Sequence, residues 1–191
     1  MQIRWLGNSA VEINGDRKLL IDPNYQIEPK IEPDIILITH EHNDHINPRQ
    51  IKQYSAAAVY APLSVFEDYD IEGEIVKSGQ QIEDLLDVVN IDCYRARSSV
   101  GYVYNGIYHT GDASSFPVVN KNIKLLFTAC FPNLYSEYIA SCKKIEPDLV
   151  IPYHYDINDK RGKKAAQGLA EKLNKEGIRS QALKAGSEII I

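Results

Sequence analysis

The chain is poor in sulfur and in tryptophan: its 191 residues hold three cysteines, one methionine and one tryptophan. Cys93, Cys130 and Cys142 are odd in number and widely spaced, with no Cys-x-x-Cys pair. That argues against a disulfide framework and fits thiols serving as small core residues in a reducing cytosol. No apolar run approaches the roughly 18 residues that span a bilayer, so no membrane segment is expected. No leader is read at the start, where Met1-Gln2-Ile3-Arg4-Trp5 runs straight into strand-like sequence. Positive charge is also short. Lys and Arg total 21 against 26 Asp and Glu, a net charge of −5 with a pI near 5.5. No nucleic-acid partner is therefore expected, since non-specific binding needs a basic face. The basic run Lys160-Arg161-Gly162-Lys163-Lys164 opens a helix-like segment and reads as a solvated helix face. Low-complexity stretches and linkers are missing, and the length suits one domain, 1–191, with a sizeable core.

Histidine is scarce as well, yet three of the five fall within six positions, His40-Glu41-His42-Asn43-Asp44-His45. The string follows the apolar run Ile35-Ile36-Leu37-Ile38-Thr39, which reads as a buried strand. Imidazole and carboxylate are ligand types that suit zinc and similar divalent ions. In extended chain, residues i and i+2 point the same way, so His40 and His42 can share one ion. Asp44 and His45 are adjacent and diverge. At most one easily joins that ion, and the other faces a second position nearby. The string therefore suits a two-metal site completed by ligands from distant segments.

Around it the chain reads as short strands and helices. Strands are expected at Ile3–Leu6, Ala10–Ile13 and Leu19–Ile21, with Asn14-Gly15 as a two-residue hairpin turn. Asn47-Pro48 reads as an N-cap and first helical position, leading a helix to about Tyr54. Val59–Ala61 reads as a strand and Pro62 opens a helix to about Tyr69. The second half begins again with strands at Val88–Arg97, Val100–Tyr104 and Ile107–Thr110, with an Asn105-Gly106 turn. Then come strands at Lys124–Thr128, Leu149–Tyr153 and Ile189–Ile191. Helices are expected at Tyr135–Lys144 and Lys163–Glu176, the latter ended by Gly177. The similar order of the halves implies an α+β protein, two mixed sheets packed face to face with helices outside. Two more ligand-type residues follow strands: Asp112, presented by the turn-permitting Gly111, and His154 after Leu149–Tyr153.

On these motifs the chain resembles the metallo-β-lactamase fold superfamily. The match rests on Leu20-Ile21-Asp22-Pro23, the His40–His45 string, Thr110-Gly111-Asp112 and Pro152-Tyr153-His154, in order over essentially the whole chain. Trp5-Leu6-Gly7, Tyr108-His109-Thr110-Gly111-Asp112 and Ile151–Tyr155 look most like the L-ascorbate-6-phosphate lactonase-like hydrolases. The resemblance implies a four-layer αββα sandwich with ligands at one edge. It implies that His40 and His42 bind one metal, that Asp44, His45 and His154 bind a second, and that Asp112 bridges. Asp22 would orient the metal loop from behind. His109 has no ligand role in the family pattern and reads as structural. The chain departs from the pattern in two places. The third histidine of the first metal has no counterpart in Cys93-Tyr94-Arg95-Ala96-Arg97-Ser98-Ser99, where Arg97 is the closest positional match. Asn8 stands where the lactonase-like group tends to carry His. Arg cannot ligate a cation, because it offers only donors.

The implied chemistry is hydrolysis by a metal-activated water, with Asp44 or Asp112 orienting the water or accepting its proton. The expected substrate is a small, anionic ester, lactone or phosphoester. Arg95 and Arg97 either bind its anionic group or make structural ion pairs. Zinc is the first expectation for the ion, with manganese or iron as alternatives, at one or two ions per chain. If Arg97 lies at the site, Arg97→His should raise metal occupancy. The other functional class is a metal-binding protein that has lost turnover with its third His and acts as a sensor or interaction module. A homo-oligomer is compatible with the sequence.

Overall fold

The computed structural model describes residues 1–191. The alternating runs at the start form β1 (Gln2–Trp5), β2 (Val11–Asn14) and β3 (Lys18–Ile21), paired antiparallel. Next come β4 (Ile35–Leu37), α1 (Pro48–Ile51), β5 (Ala58–Ala61), α2 (Leu63–Asp68) and β6 (Glu74–Ile75). β4, β5 and β6 extend the sheet parallel to β3. A second sheet takes β7 (Gln81–Ile82), β8 (Leu86–Asn90), β9 (Val100–Tyr104) and β10 (Ile107–His109) as an antiparallel run. β11 (Leu125–Ala129) and, after α3 (Tyr135–Ile145), β12 (Val150–Tyr153) add to it in parallel. α4 (Lys160–Lys175) follows, and β13 (Glu188–Ile190) returns to pair with β1.

Period-two alternation decides what each strand buries. Leu19, Ile21, Ile35 and Leu37 face the interior between the sheets, where they meet Val88, Tyr102 and Tyr104. Their neighbours Leu20, Ile36, Ile38 and Val59 face outward and pack with Ile51 of α1 and Val65 of α2. On the far side, Leu169 and Leu173 of α4 and Tyr138 of α3 join the main core against the second sheet. Each such Leu or Ile contributes about 1.5–3 kcal/mol of burial. The order is thus helices, sheet, sheet, helices, the α+β sandwich that the motif resemblance implied.

Several boundaries are corrected. The strand expected over Val88–Arg97 ends at Asn90. Beyond it the chain turns at Arg95, whose φ is 64°, so Arg95 and Arg97 do not share a strand face. α4 begins at Lys160, earlier than the apolar periodicity suggests, because the Asp159 carboxylate accepts the Arg161 and Gly162 amides at 2.8 and 3.1 Å. The basic run that opens it is largely exposed, as expected. α1 is one turn long and does not reach Tyr54. β6 and β7, two residues each, are too short to leave an alternation signal.

Candidate metal centre

β3 and β4 of the first sheet and β10 and β12 of the second, each paired in parallel with a neighbour, end at one edge and deliver the polar cluster there. Asp22 leaves β3 in the left-handed region, φ 49°, and its amide donates to Leu37 O at 2.8 Å. Asp is one of the few side-chain-bearing residues that take this conformation readily. The turn buries the carboxylate completely beneath the loop that follows β4. There Asp22 Oδ1 accepts the Thr39 amide at 2.7 Å, and Oδ2 accepts the Thr39 hydroxyl at 2.8 Å. His45 Nδ1 lies 2.7 Å from Asp22 Oδ2, a contact that makes Nδ1 the protonated nitrogen and leaves Nε2 facing the cluster. Thr39 Oγ1 lies 3.0 Å from His40 Nδ1 and directs the other nitrogen of that ring the same way.

The ligand-type atoms fall into two groups. His40 Nε2 and His42 Nδ1 are 3.0 Å apart, and Asp112 Oδ1 lies 3.4 Å from His40 Nε2. Cys93 completes this group, its Sγ 3.9 Å from His42 Nδ1, with all four atoms within 4.8 Å of one another. The second group is Asp44, His45 and His154. His45 Nε2 and His154 Nε2 are 3.0 Å apart, and Asp44 Oδ2 lies 3.4 Å from His154 Nε2. Asp112 reaches toward both groups, since its Oδ2 is 4.0 Å from His45 Nε2. Gly111, at φ 56°, makes the turn that presents Asp112, and a Cβ there would press on Thr39 at 3.2 Å. His154 also lies in the left-handed region, at φ 65°, and its amide donates to Asn8 O at 3.1 Å. Asn8 thus supports the second group through its backbone.

Burial and charge act on these groups in opposite directions. Burial alone would push the His45 imidazole down, but the Asp22 carboxylate beside it wins and lifts its pKa to about 9. Burial also works against the Asp22 carboxylate, and the same pair more than offsets it, leaving Asp22 below the ordinary range. His40 falls to about 3, through burial and then the neighbouring His45. Asp112 and Asp44 are both lowered against burial, Asp112 mainly by His45 and His40, and Asp44 mainly by His154. Burial, then Asp112, pushes the Cys93 thiol up. Asp112 Oδ1 is buried without a hydrogen-bond partner. A cation between the two groups would satisfy that oxygen, and the nitrogen, oxygen and sulfur donors fit a divalent ion.

The fold therefore brings His40, His42, Asp44, His45, Asp112 and His154 together, with Asp22 behind them. Arg95 and Arg97 stay outside. The Arg97 guanidinium binds Asp68 at 2.6 Å and Glu67 at 3.2 Å, and it donates to Ser64 O at 3.0 Å. Toward the histidine string, the Arg97 amide donates to Glu41 Oε1 at 2.6 Å and the Arg97 Nε lies 3.7 Å from the same oxygen. Arg95 is exposed and lies 5.0 Å over the Tyr94 ring. The residue that sequence reasoning missed is Cys93, read as a core thiol. Its place within the stretch where a third histidine is wanting was the available signal. His109 belongs to neither group. Its Nε2 contacts Ser9 O at 3.0 Å and Tyr153 Oη at 3.1 Å. A cavity of about 510 Å³ beside Ile51, Tyr54 and Val59 shares no lining residue with the cluster.

Comparison with known proteins agrees with this geometry. The profile of the β-lactamase superfamily domain matches residues 2–154. A protein of Methanosarcina mazei named UPF0173 metal-dependent hydrolase is 28% identical, over 83% of this chain and 85% of its own. One of the same designation from Thermococcus kodakarensis is 29% identical, over 82% and 85%. Among solved structures, Igni18, a metallo hydrolase from Ignicoccus hospitalis, superposes with a TM-score of 0.76 at 17% identity, over 98% and 97% of the two chains. The metallo-β-lactamase fold protein YhfI from Bacillus subtilis gives 0.70 at 15% identity, over 99% of each.

Proposed function

The chain belongs to the metallo-β-lactamase superfamily, and from that premise we propose that it is a metal-dependent hydrolase of a small ester, lactone or phosphoester. The observation that carries the reading is the position of Asp112, one carboxylate with an oxygen toward each of two histidine groups. The relatives named metal-dependent hydrolases support the reaction class. Zinc is the ion we favour, from the imidazole-rich donor set, with manganese and iron as alternatives.

His40, His42 and Asp112 would hold one ion, and Asp44, His45 and His154 the other. An ion bound there would act as a Lewis acid and lower the pKa of a bound water to about 7. The chain's own residues do the rest. Asp22 and Thr39 hold the His40 and His45 rings so that their Nε2 atoms face the centre without reorganisation. Asp112 ties the two halves together. Asp44 is the cluster's half-open carboxylate, 47% exposed, and is placed to accept a proton and pass it to solvent. Arg97 is paired with Glu67 and Asp68 and Arg95 lies outside the cluster over the Tyr94 ring, so neither guanidinium is assigned to a substrate anion. Three free cysteines fit work in a reducing compartment, and no helix is long and apolar enough to cross a membrane.

The test is metal analysis of protein purified without chelator, followed by a panel of esters, lactones and phosphodiesters. Bound metal with turnover that is abolished by chelation and restored by zinc or manganese is expected. Tight metal without turnover across the panel would favour a sensor or interaction module. Absence of metal would end the hydrolase reading.

A further inference from the structure

Cys93 sits in the loop after β8 that was read as having lost a metal ligand. Cys93 is 6% exposed as a residue, and its Sγ lies within 4.8 Å of ligand-type atoms of His40, His42 and Asp112. The placement is built by specific contacts. Asp92 and Ser115 form an isolated bridge between the Cys93 loop and the loop that carries Asp112. The Ser114 amide donates to Asp92 O at 2.7 Å, and its hydroxyl donates to the same oxygen at 3.0 Å. The turn beyond closes through the Ala96 amide to Cys93 O at 3.3 Å, and the Arg97 amide is tied to Glu41, inside the histidine string. The loop is thus stitched to both segments that supply the other three donors.

The geometry points to Cys93 as the third protein side chain of the first metal position, giving a His–His–Cys set closed by Asp112. This rests on reading the cluster as a metal centre. Bonds of about 2.0 Å to nitrogen or oxygen and 2.3 Å to sulfur put tetrahedral ligand pairs about 3.3–3.6 Å apart. The observed separations of 3.0, 3.4 and 3.9 Å straddle that range. Asp112 Oδ1, buried and unpartnered, is a second sign that a cation belongs between these groups. On binding, the Sγ–H proton leaves to solvent as the sulfur–metal bond forms, with no change of oxidation state. A thiolate would make this position softer than a three-histidine one and favour zinc over manganese there.

The test uses the whole chain, stripped with chelator and reloaded with cobalt(II). Two bound ions and a near-ultraviolet thiolate-to-cobalt charge-transfer band are expected. The band should vanish in Cys93→Ser, with bound cobalt falling from two ions toward one, and persist in Cys130→Ala and Cys142→Ala. Cys93→His should keep two ions without the band. If Cys93→Ser does not fold, X-ray absorption of the wild-type zinc form decides, since a sulfur scatterer at about 2.3 Å is required. Two ions bound with no band, a band that survives in Cys93→Ser, or no sulfur at the zinc would overturn the assignment while leaving a metal centre. No cobalt bound at all would overturn both.

Discussion

Asp22 Oδ2 and His45 Nδ1 stand 2.7 Å apart, both fully buried, at the ends of two segments 23 residues apart in sequence. The pair sets which nitrogen of His45 faces the cluster, and through Thr39 the same carboxylate governs His40. A residue that would touch no ion thus aims two of the imidazoles.

Asp22→Asn isolates the charge, because Asn also tolerates the left-handed backbone at this position. We expect metal affinity to fall roughly 10- to 100-fold, with the fold retained. Competition with a calibrated chelator measures it, and unchanged affinity would show that the buried pair is structural only. Asp22→Ala should lose stability as well, because it removes three hydrogen-bonding contacts and strains the turn.

His154→Ala removes one of the three residues in the second group and leaves the first untouched. Bound metal should drop by about one ion per chain, with the circular dichroism of the metal-free protein close to wild type and a modest loss of stability from alanine in the left-handed backbone at φ 65°. Full metal content in the variant would count against the assignment of His154.

The sequence leads one to expect that Arg97→His raises metal occupancy if residue 97 lies at the site. The guanidinium instead pairs with Glu67 and Asp68 on α2, so the variant should leave the metal-to-protein ratio unchanged. Elemental analysis of both proteins, prepared in parallel, checks this. A gain of one ion would mean that the loop can turn residue 97 inward.

Arg4 and Glu12 form an ion pair at 2.6 Å, with side chains 6% and 4% exposed, away from the cluster. Glu12 also accepts the Lys30 amide at 2.8 Å. Arg4→Met leaves Glu12 buried and unpaired, and should cost about 3–5 kcal/mol of stability in chemical denaturation. Adding Glu12→Leu should recover much of that loss. Metal content of the folded fraction should not move in either variant, which separates stability from the site.

Much of this protein was legible before any coordinates. The His40–His45 string announces its chemistry because metal-capable side chains at i and i+2 need only extended backbone to converge. Ile35–Leu37 reads as a strand because an unbroken apolar run between turn signals has few other uses. Asp112 and His154 were found by the same strand-then-ligand logic, and α3 and α4 by periodicity with a clear stop at Gly177.

Tertiary structure alone decided the fate of residues 91–99. Alternation predicts which way a side chain points only while the strand continues, and β8 stops at Asn90. From there the path depends on contacts between segments distant in sequence: Asp92 with Ser114 and Ser115, and the Arg97 amide with Glu41. Those contacts turn Cys93 inward and swing Arg97 onto the acidic end of α2. The local sequence specified the donors and the strands that carry them. Which donor-type side chain lies nearest the place of the wanting histidine depends on hydrogen bonds made by the loop, whose partners no local pattern encodes.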